Sequence, residues 1–153
     1  MIKRADLQDA AALASLAVQL WPDNDPEELA EEFRTLIMNA DAALFIKYAA
    51  DTPIAFAQCQ LRHDYVEGTD SSPVGYLEGI FVSEGYRKKG FASELLSECE
   101  KWAKEKGCVQ FASDCELDNA DSLSFHLAMG FEEANRIICF KKDLRGDTPK
   151  ENG

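Results

Sequence analysis

The sequence predicts an α/β fold of the α+β kind, in which a mostly antiparallel sheet contains one strand–helix–strand unit. Helix-like and strand-like patterns alternate along a chain of 153 residues, which is the length of a single domain. Two strand-like runs, 42–49 and 54–65, are joined by turn residues 51–53, which is typical of a hairpin. Residues 74–112 have the dimensions of a βαβ unit. A hairpin beside such a unit predicts a mixed sheet with flanking helices, not a doubly wound parallel one.

The composition indicates one ordered domain with a short tail. Hydrophobic residues make up 46% of the chain and charged residues 29%, which is ordinary for a globular protein and excludes disorder throughout. Residues 145–153 contain no apolar anchor, so this tail is expected to be disordered. The domain is therefore expected over residues 1–144.

The first third of the chain reads as a short strand and two helices. The strand is expected over residues 2–5, and Asp6 is the expected N-cap of a helix whose apolar positions are Leu13, Leu16, Ala17 and Leu20. Asp25 is expected to cap the second helix, with Pro26 in its first position and Glu28 completing a capping box. Its buried stripe is expected to be Leu29, Phe33, Leu36 and Ile37.

The rest of the chain alternates between strands and helices. An apolar run at 74–82 holds one carboxylate, and the long helix after it is expected to end at Gly107. Its apolar face comprises Phe91, Leu95, Leu96, Cys99, Trp102 and Ala103. A short strand is expected at 108–112, a helix at 119–129 closed by Gly130, and two last strands at 131–134 and 136–142.

The charge of the chain restricts its partners. Sixteen basic and 28 acidic residues give a net charge of −12, so the phosphates of nucleic acids and anionic membranes would be repelled. Amines, polyamines and basic peptides are the favoured partners. No apolar run has the length of a membrane span and no signal-peptide pattern follows Met1, so a cytoplasmic protein is expected.

The cysteine and histidine pattern argues against a metal or disulfide framework. The five cysteines lie at positions 59, 99, 108, 115 and 139, and no pair has CxxC spacing. Reduced thiols are the better interpretation. The two histidines, His63 and His126, are too few and too isolated to predict a metal site.

A cationic segment that opens the long helix is the first feature with chemical meaning. Gly90 lets a ligand approach the backbone closely, and the free N–H groups of the first helical turn attract anions. The segment is not a Walker loop or a dinucleotide fingerprint, but in an acidic chain it predicts a phosphate or pyrophosphate cradle, against the alternative of a solvated basic loop. Its residues are Arg87, Lys88, Lys89, Gly90, Phe91 and Ala92.

This segment, preceded by strand residues 80–82 and followed by Asn119 and the pair Gly130-Phe131, resembles the GNAT (GCN5-related N-acetyltransferase) superfamily. The resemblance implies the GNAT fold, with acetyl-CoA as co-substrate and its pyrophosphate on residues 87–92. Asn119 would bind the pantetheine arm, unless it only caps its helix. Backbone N–H groups of Ile80, Phe81 and Val82 would hold the thioester carbonyl, if a bulge or splay frees them.

Three further stretches, at 62–66, 71–82 and 111–114, resemble the bacterial aminoglycoside 6'-N-acetyltransferases. This resemblance implies that an aminoglycoside antibiotic accepts the acetyl group at its 6'-amine by direct attack within a ternary complex. It also implies that carboxylates and aromatic side chains line the acceptor site, and that the protein is a homodimer.

Glu78 is the predicted general base. By strand alternation it shares a face with Tyr76, Ile80 and Val82, where an ionised carboxylate is costly unless it is paired or wetted. An amine acceptor must lose a proton before it attacks a thioester. The family resemblance implies that Glu78 acts through a water molecule. The alternative is a carboxylate that only holds a cationic substrate or forms a structural ion pair.

Three other residues are predicted to contact the acceptor. Asp114 follows the strand at 108–112 and would be a second anion for ammonium groups, unless it is a cap or loop carboxylate. Tyr65, expected at the end of its strand, is either an acceptor-site aromatic or a tyrosine at the edge of the core. Trp21 would cover a sugar ring, or would only anchor the core.

His126 is the remaining catalytic candidate. It stands four residues before Gly130, where many superfamily members have a tyrosine that protonates the departing thiolate. Imidazole can do the same work near neutral pH, and water is the alternative acid. A histidine bonded to a backbone carbonyl is the structural alternative.

Two other functions remain open at the level of sequence. The first is the same chemistry on another amine, such as a polyamine or a protein amine. The second is a coenzyme A-sensing module without turnover, which would have no need of a base at Glu78.

Overall fold

A computed structural model describes residues 1–145 and shows a five-stranded sheet in the order β1-β2-β3-β4-β5. The pairs β1–β2, β2–β3 and β3–β4 are antiparallel, and β4–β5 is parallel. The mixed, mostly antiparallel sheet is therefore confirmed. The strands are β1 (Ile2–Arg4), β2 (Ala42–Ala49), β3 (Thr52–Arg62), β4 (Val74–Val82) and β5 (Phe111–Ala112).

Four α-helices flank the sheet, at α1 (Ala10–Leu20), α2 (Pro26–Ile37), α3 (Phe91–Glu105) and α4 (Ala120–Ala128). Short 3-10 turns lie at Leu7–Asp9 and Glu84–Tyr86. The predicted helix starts are confirmed, since Asp6 caps the 3-10 turn that leads into α1 and the Asp25 carboxylate accepts from the Glu28 amide.

The sheet separates two apolar layers because its side chains alternate between faces. On one face Phe56 packs with α1 and α2, whose buried contacts include Leu13, Leu16, Leu29 and Phe33. On the other face Ala57 and Cys59 of β3 pack under α3, against Leu95, Leu96, Cys99 and Trp102. Helix α3, which connects the parallel strands β4 and β5, thus lies on the opposite face of the sheet from α1 and α2.

A bulge in β4 changes which residues share a face. Gln58 pairs with Gly79 and Cys59 pairs with Leu77, so Glu78 has no partner on β3. One extra residue reverses the alternation beyond it. The predicted grouping of Glu78 with Ile80 and Val82 is therefore wrong, because both of these pack against the α3 core. Tyr76, on the near side of the bulge, does face Glu78.

Several predicted boundaries shift in the structure. The turn of the hairpin is Ala50 and Asp51, so β3 starts at Thr52 and includes Pro53. The strand then ends at Arg62 rather than at residue 65, which leaves Tyr65 in the following loop. The strand expected at 108–112 is confined to its last two residues.

The two strands expected at 131–134 and 136–142 are not formed, since residues 131–145 contain no strand. A strand needs a neighbour to satisfy its backbone groups. The short β5 pairs only with Gly75 and Tyr76, and nothing in residues 1–145 pairs with its outer edge. The predicted tail is described only at its first residue, and residues 146–153 lie outside the described part.

Within residues 1–145, each helix is too short or too polar to cross a bilayer.

Candidate active site

The structure brings four side chains together at one end of β3 and β4, and we call them the carboxylate cluster: Arg62, Tyr76, Glu78 and Asp114. The Arg62 Nη2 atom lies 3.0 Å from both Glu78 carboxylate oxygens, and Nε lies 3.2 Å from Oε2. The same guanidinium stacks on Tyr76, with 3.5 Å between its central carbon and the ring centroid. Tyr76 Oη donates to Asp114 Oδ2 at 2.5 Å. Glu78 and Asp114 are thus held on either side of one tyrosine.

The fold explains why these residues meet. Tyr76 pairs with Gln60 on β3 and with Ala112 on β5, so it faces both the end of β3 and the segment after β5. Arg62 is the last residue of β3, and Asp114 follows β5 by two residues. The bulge keeps Glu78 on the Tyr76 face. This cluster therefore depends on the βαβ unit and on the bulge together.

Tyr76 remains a protonated phenol at neutral and moderately alkaline pH. Burial, the hydrogen bond to Asp114 and the charge of that carboxylate raise the pKa of Tyr76 above its usual range. Its hydroxyl therefore stays a donor, and Asp114 stays the acceptor.

Trp21 forms one wall beside the cluster. It ends α1 half-buried, and its ring meets Phe56 edge-on with centroids 6.2 Å apart. A Cβ atom added at Gly79 would lie 2.9 Å from the Trp21 ring, so the glycine next to Glu78 makes room for the indole. Trp21 is thus both a core contact and a neighbour of the predicted base.

Tyr65 is not drawn into the carboxylate cluster. It lies in the loop after β3 with 75% of its surface exposed, and its hydroxyl is 3.4 Å from Glu67 Oε2. The expected position at a strand end is wrong because β3 stops at Arg62.

The outer edge of β4 is open past the cluster, because β5 pairs only with Gly75 and Tyr76. Ser83 N–H donates to the Ile54 carbonyl across the β3–β4 pair. Ladder bonds alternate along antiparallel strands, so Phe81 bonds toward β3 while the amides of Ile80 and Val82 point to the open edge. On that edge the Val82 carbonyl accepts from Arg87 Nε at 2.8 Å.

The cationic segment begins α3 next to this open edge. Gly90 is the N-cap with φ +84°, and no side chain caps the helix. Lys88 also has a positive φ of 64°. Arg87, Lys88 and Lys89 are exposed, and none of them pairs with a carboxylate in residues 1–145. Phe91 is covered by Lys47, whose Nζ lies 4.4 Å from the ring centroid, and Ala92 is half-buried in the first turn. The arrangement leaves free N–H groups and free cations at one place.

Asn119 and His126 lie on α4. The Asn119 side chain caps the helix, with Oδ1 accepting from the Ser122 amide at 3.0 Å, and its NH₂ group takes no part in that bond. His126 Nδ1 lies 2.7 Å from the Ser122 carbonyl, and Nε2 lies 2.8 Å from Ser113 Oγ. A carbonyl only accepts, so Nδ1 carries a proton, and Nε2 is hydrogen-bonded to the Ser113 hydroxyl.

Sequence reasoning missed Arg62 and the role of Tyr76. Arg62 was expected inside a strand and carried no predicted function, and Tyr76 appeared only as a neighbour of Glu78. The available signal was that residues 58, 60 and 62 of one strand share a face that meets residues 76 and 78 of the next. A long cation on that face reaches a carboxylate on the other strand.

Comparison with known proteins identifies the family. The family model described as Acetyltransferase (GNAT) family matches residues 10–131. The chain belongs to the GNAT acetyltransferase family. The GNAT fold predicted from the motifs is thereby confirmed.

Relatives within the GNAT family are similar along almost the whole chain. The aminoglycoside N(6')-acetyltransferase type 1 of Serratia marcescens is 38% identical over 94% of this chain and 99% of its own. The protein of the same name from Acinetobacter baumannii is 42% identical over 94% of this chain and 96% of its own.

Solved structures show the same similarity. The structure of AAC(6')-Iy in complex with the bisubstrate analogue CoA-S-monomethyl-acetylneamine has a TM-score of 0.89 and 36% identity, covering 94% of this chain and 97% of that one. The aminoglycoside antibiotic 6'-N-acetyltransferase AAC(6')-Ih from Acinetobacter baumannii has a TM-score of 0.88 and 39% identity, covering 94% and 98%.

Proposed function

We propose that this protein transfers the acetyl group of acetyl-CoA to the 6'-amine of an aminoglycoside antibiotic. The observation that carries the proposal is the position of the carboxylate cluster beside the open edge of β4 and the cationic start of α3. The GNAT relatives named for this activity, and the solved complex with a CoA–aminoglycoside analogue, support the same choice of co-substrate and acceptor.

The acceptor side is built for a polycation. Glu78 and Asp114 supply two carboxylates on one face, and Tyr76 holds Asp114 in place through its hydroxyl. Trp21 adds aromatic surface beside Glu78, and the exposed ring of Tyr65 in the loop after β3 would add a second aromatic face for a sugar ring. The net charge of −12 favours the approach of a multiply charged amine.

The co-substrate side fits a diphosphate and a thioester. Residues 87–92 offer uncapped amides and three cations to the diphosphate, and a side chain added at Gly90 would meet no atom within 4 Å. The space over Gly90 is therefore open for a ligand. The amides of Ile80 and Val82 would hold the thioester carbonyl, with Phe81 fixing the strand from the opposite face. Asn119 would bind the pantetheine arm through its NH₂ group.

In the proposed mechanism Glu78 removes the proton of the acceptor ammonium, through water. The freed amine nitrogen attacks the thioester carbonyl carbon, a C–N bond forms and the C–S bond breaks, and the nitrogen releases its second proton to water. Ile80 and Val82 amides stabilise the charge that develops on the carbonyl oxygen. The thiolate of coenzyme A takes a proton from water or from His126. No covalent acyl-enzyme is involved, because the cluster contains no thiol and its one hydroxyl, that of Tyr76, is a poor nucleophile: burial and the hydrogen bond to Asp114 raise the pKa of Tyr76 and keep it a phenol.

An acceptor screen tests the proposal and separates it from its alternatives. Thiol release from acetyl-CoA is followed with kanamycin, spermidine and a peptide amine, and the products are mapped by NMR. We expect release with kanamycin and a product acetylated at the 6'-amine. Turnover only with spermidine or the peptide would assign another amine, and coenzyme A binding without turnover on any acceptor would indicate a sensor.

The oligomeric state and the compartment are part of the proposal. Ile138 and Phe140 are 78% and 89% exposed in the strand-free segment 131–145, which is apolar surface suited to a second copy of the chain. We therefore propose a homodimer, and sedimentation velocity showing a monomer at micromolar concentration would contradict it. The five free cysteines suit the reducing cytoplasm.

A further inference from the structure

We propose that Arg62 is an internal substitute for the substrate cation, which occupies the acceptor site and must leave Glu78 before the aminoglycoside amine can bind there. This inference rests on the proposed function, because it treats the carboxylate cluster as the acceptor site. It adds a residue that sets acceptor affinity and selectivity.

Arg62 occupies most of the acceptor positions of the Glu78 carboxylate. Both oxygens accept from Arg62, at 3.0 Å from Nη2, and Oε2 accepts a second bond from Nε at 3.2 Å. A carboxylate has about four acceptor positions, so these bonds leave one position, on Oε1, and they pair the charge of Glu78 with a cation. A substrate ammonium group therefore pairs fully with Glu78 only when Arg62 moves away.

The guanidinium of Arg62 has the contacts that a bound ammonium group would make. It pairs with Glu78 and stacks on the Tyr76 ring at 3.5 Å, and the hydroxyl of that tyrosine bonds Asp114. A cation that pairs with a carboxylate over an aromatic face is the arrangement that an alkylammonium would adopt in this site. Arg62 and the substrate therefore compete for one position.

The exposure of Arg62 allows it to leave Glu78. Its side chain is 43% exposed, whereas that of Glu78 is 21% exposed, so the arginine lies on the solvent side of the pair. It is the last residue of β3, and the long loop to β4 follows it. Water can therefore solvate the guanidinium when it moves away, while the incoming ammonium group replaces its charge at Glu78.

Displacement has a consequence for selectivity. An acceptor with several ammonium groups can pair with Glu78 in place of Arg62 and can also pair with Asp114. A monoamine can only exchange the ion pair between Arg62 and Glu78 for its own. Arg62 therefore favours polyvalent acceptors over simple amines. A site that is blocked for most of the time lowers the apparent affinity by the fraction that is open.

The test is calorimetric titration of kanamycin into the coenzyme A-saturated protein, comparing wild type with Arg62→Met. We expect Arg62→Met to bind kanamycin about tenfold more tightly, as for a site that is open about a tenth of the time in the wild type. The gain should appear in steady-state kinetics as a lower KM. The ratio of kcat/KM for kanamycin to kcat/KM for glucosamine, which has one amine, should decrease.

Arg34→Met is the matched control. Arg34 is 45% exposed and pairs with Glu31 on α2, so its loss removes the same charge and a similar ion pair away from the cluster. We expect kanamycin affinity close to that of the wild type. An equal gain in both variants would show a general charge effect and overturn the proposal.

Other outcomes also decide. Weaker kanamycin binding by Arg62→Met would mean that Arg62 contacts the substrate, and an unchanged dissociation constant with a lower kcat would mean that it orients Glu78. Either result overturns the proposal. If Arg62→Met unfolds, Arg62→Gln is titrated instead, and a crystal structure of the wild-type ternary complex is determined. In that structure we expect Arg62 beyond hydrogen-bond distance of Glu78. An intact Arg62–Glu78 pair would overturn the proposal.

The inference and the proposed function fail separately. If the wild type binds coenzyme A but neither binds nor acetylates kanamycin, the proposed function is wrong. If it acetylates kanamycin and Arg62→Met is no tighter, only the role of Arg62 is wrong.

Discussion

At the scale of single residues, the chemistry depends on where a carboxylate is held. Glu78 lies at the bulge of β4, has no cross-strand partner on β3 and is one-fifth exposed, so it reaches both water and a neighbouring cation. Without the bulge, strand alternation would place Glu78 on the face of Ile80 and Val82, against the core under α3. The bulge therefore makes Glu78 available to an acceptor.

Replacing this carboxylate tests its role as base. We expect Glu78→Gln to lower kcat by about 10²-fold, because the amide keeps the shape but takes up no proton. The measurement is thiol release at saturating kanamycin across pH 6 to 9. A mutant with full rate and the wild-type pH profile would remove Glu78 from the mechanism.

His126 is placed less favourably for proton donation. Its Nδ1–H is used by the Ser122 carbonyl, and Nε2 is hydrogen-bonded to the Ser113 hydroxyl. We expect His126→Gln to keep kcat within about tenfold of the wild type, at the low end of what a general acid contributes, because both ring nitrogens are already bonded to protein groups. A larger loss, with a new dependence of kcat on pH above 7, would instead assign the acid role to His126.

At the scale of elements, the start of α3 is the co-substrate site in this account. Its N-cap, Gly90, has φ +84°, and Gly107 beyond the other end of the same helix has φ +90°, with no atom within 4 Å of an added Cβ at either position. Both positions therefore respond to a side chain through backbone strain alone.

The two glycines therefore allow a controlled test of the diphosphate site proposed on residues 87–92. We expect Gly90→Val to weaken acetyl-CoA binding by about tenfold or more, because the side chain enters the space proposed for the diphosphate and strains the turn. Gly107→Val should lose comparable stability and bind acetyl-CoA normally. Equal affinity in the two variants, measured by titration calorimetry, would place the diphosphate elsewhere.

Elements with strong local chemistry were predictable from the sequence. Asp25 and Pro26 fix the start of α2, the apolar run fixes β4 at its observed ends, and Gly107 follows the last turn of α3. Of the residues predicted to contact the acceptor, Glu78 and Asp114 both lie in the carboxylate cluster, since the βαβ unit places Asp114 beside β4, whereas Tyr65 lies outside it.

The errors arose where structure depends on distant partners. Residues 131–142 have strand-like composition, but no edge within residues 1–145 pairs with them. The bulge at Glu78 depends on how β3 and β4 align, which alternation along one strand does not reveal. Arg62 acquires a role only through that alignment.

At the scale of the whole molecule, one buried acid connects three elements. Asp9 is 5% exposed, bonds the Asp6 amide and Tyr48 Oη, and pairs with Lys3 at 2.9 Å. Burial alone would raise the pKa of Asp9, but the bonds from Asp6, Lys3 and Tyr48 outweigh it and the pKa is lowered. Burial and Asp9 raise the pKa of Tyr48 to about 12, so its hydroxyl remains a donor.

This contact predicts the response of the fold to acid. A carboxyl with a lowered folded-state pKa stabilises the fold above its unfolded value of 3.8, and that contribution is lost as pH falls through the folded value. We expect Asp9→Asn to lower the free energy of unfolding at pH 7 by about 2 kcal/mol and to flatten its decline below about pH 4. The free energy of unfolding is measured by urea denaturation at each pH, with Asp51→Asn, in the exposed hairpin turn, as the control. If the stability of Asp9→Asn declined in acid as that of the wild type does, Asp9 would not be the group that makes the fold acid-sensitive.

The most direct test of the account is a crystal structure of the protein with coenzyme A and kanamycin. The account predicts the diphosphate on residues 87–92 and the 6'-amine within reach of Glu78, directly or through one water. A diphosphate bound elsewhere, or a 6'-amine that no single water connects to Glu78, would contradict it.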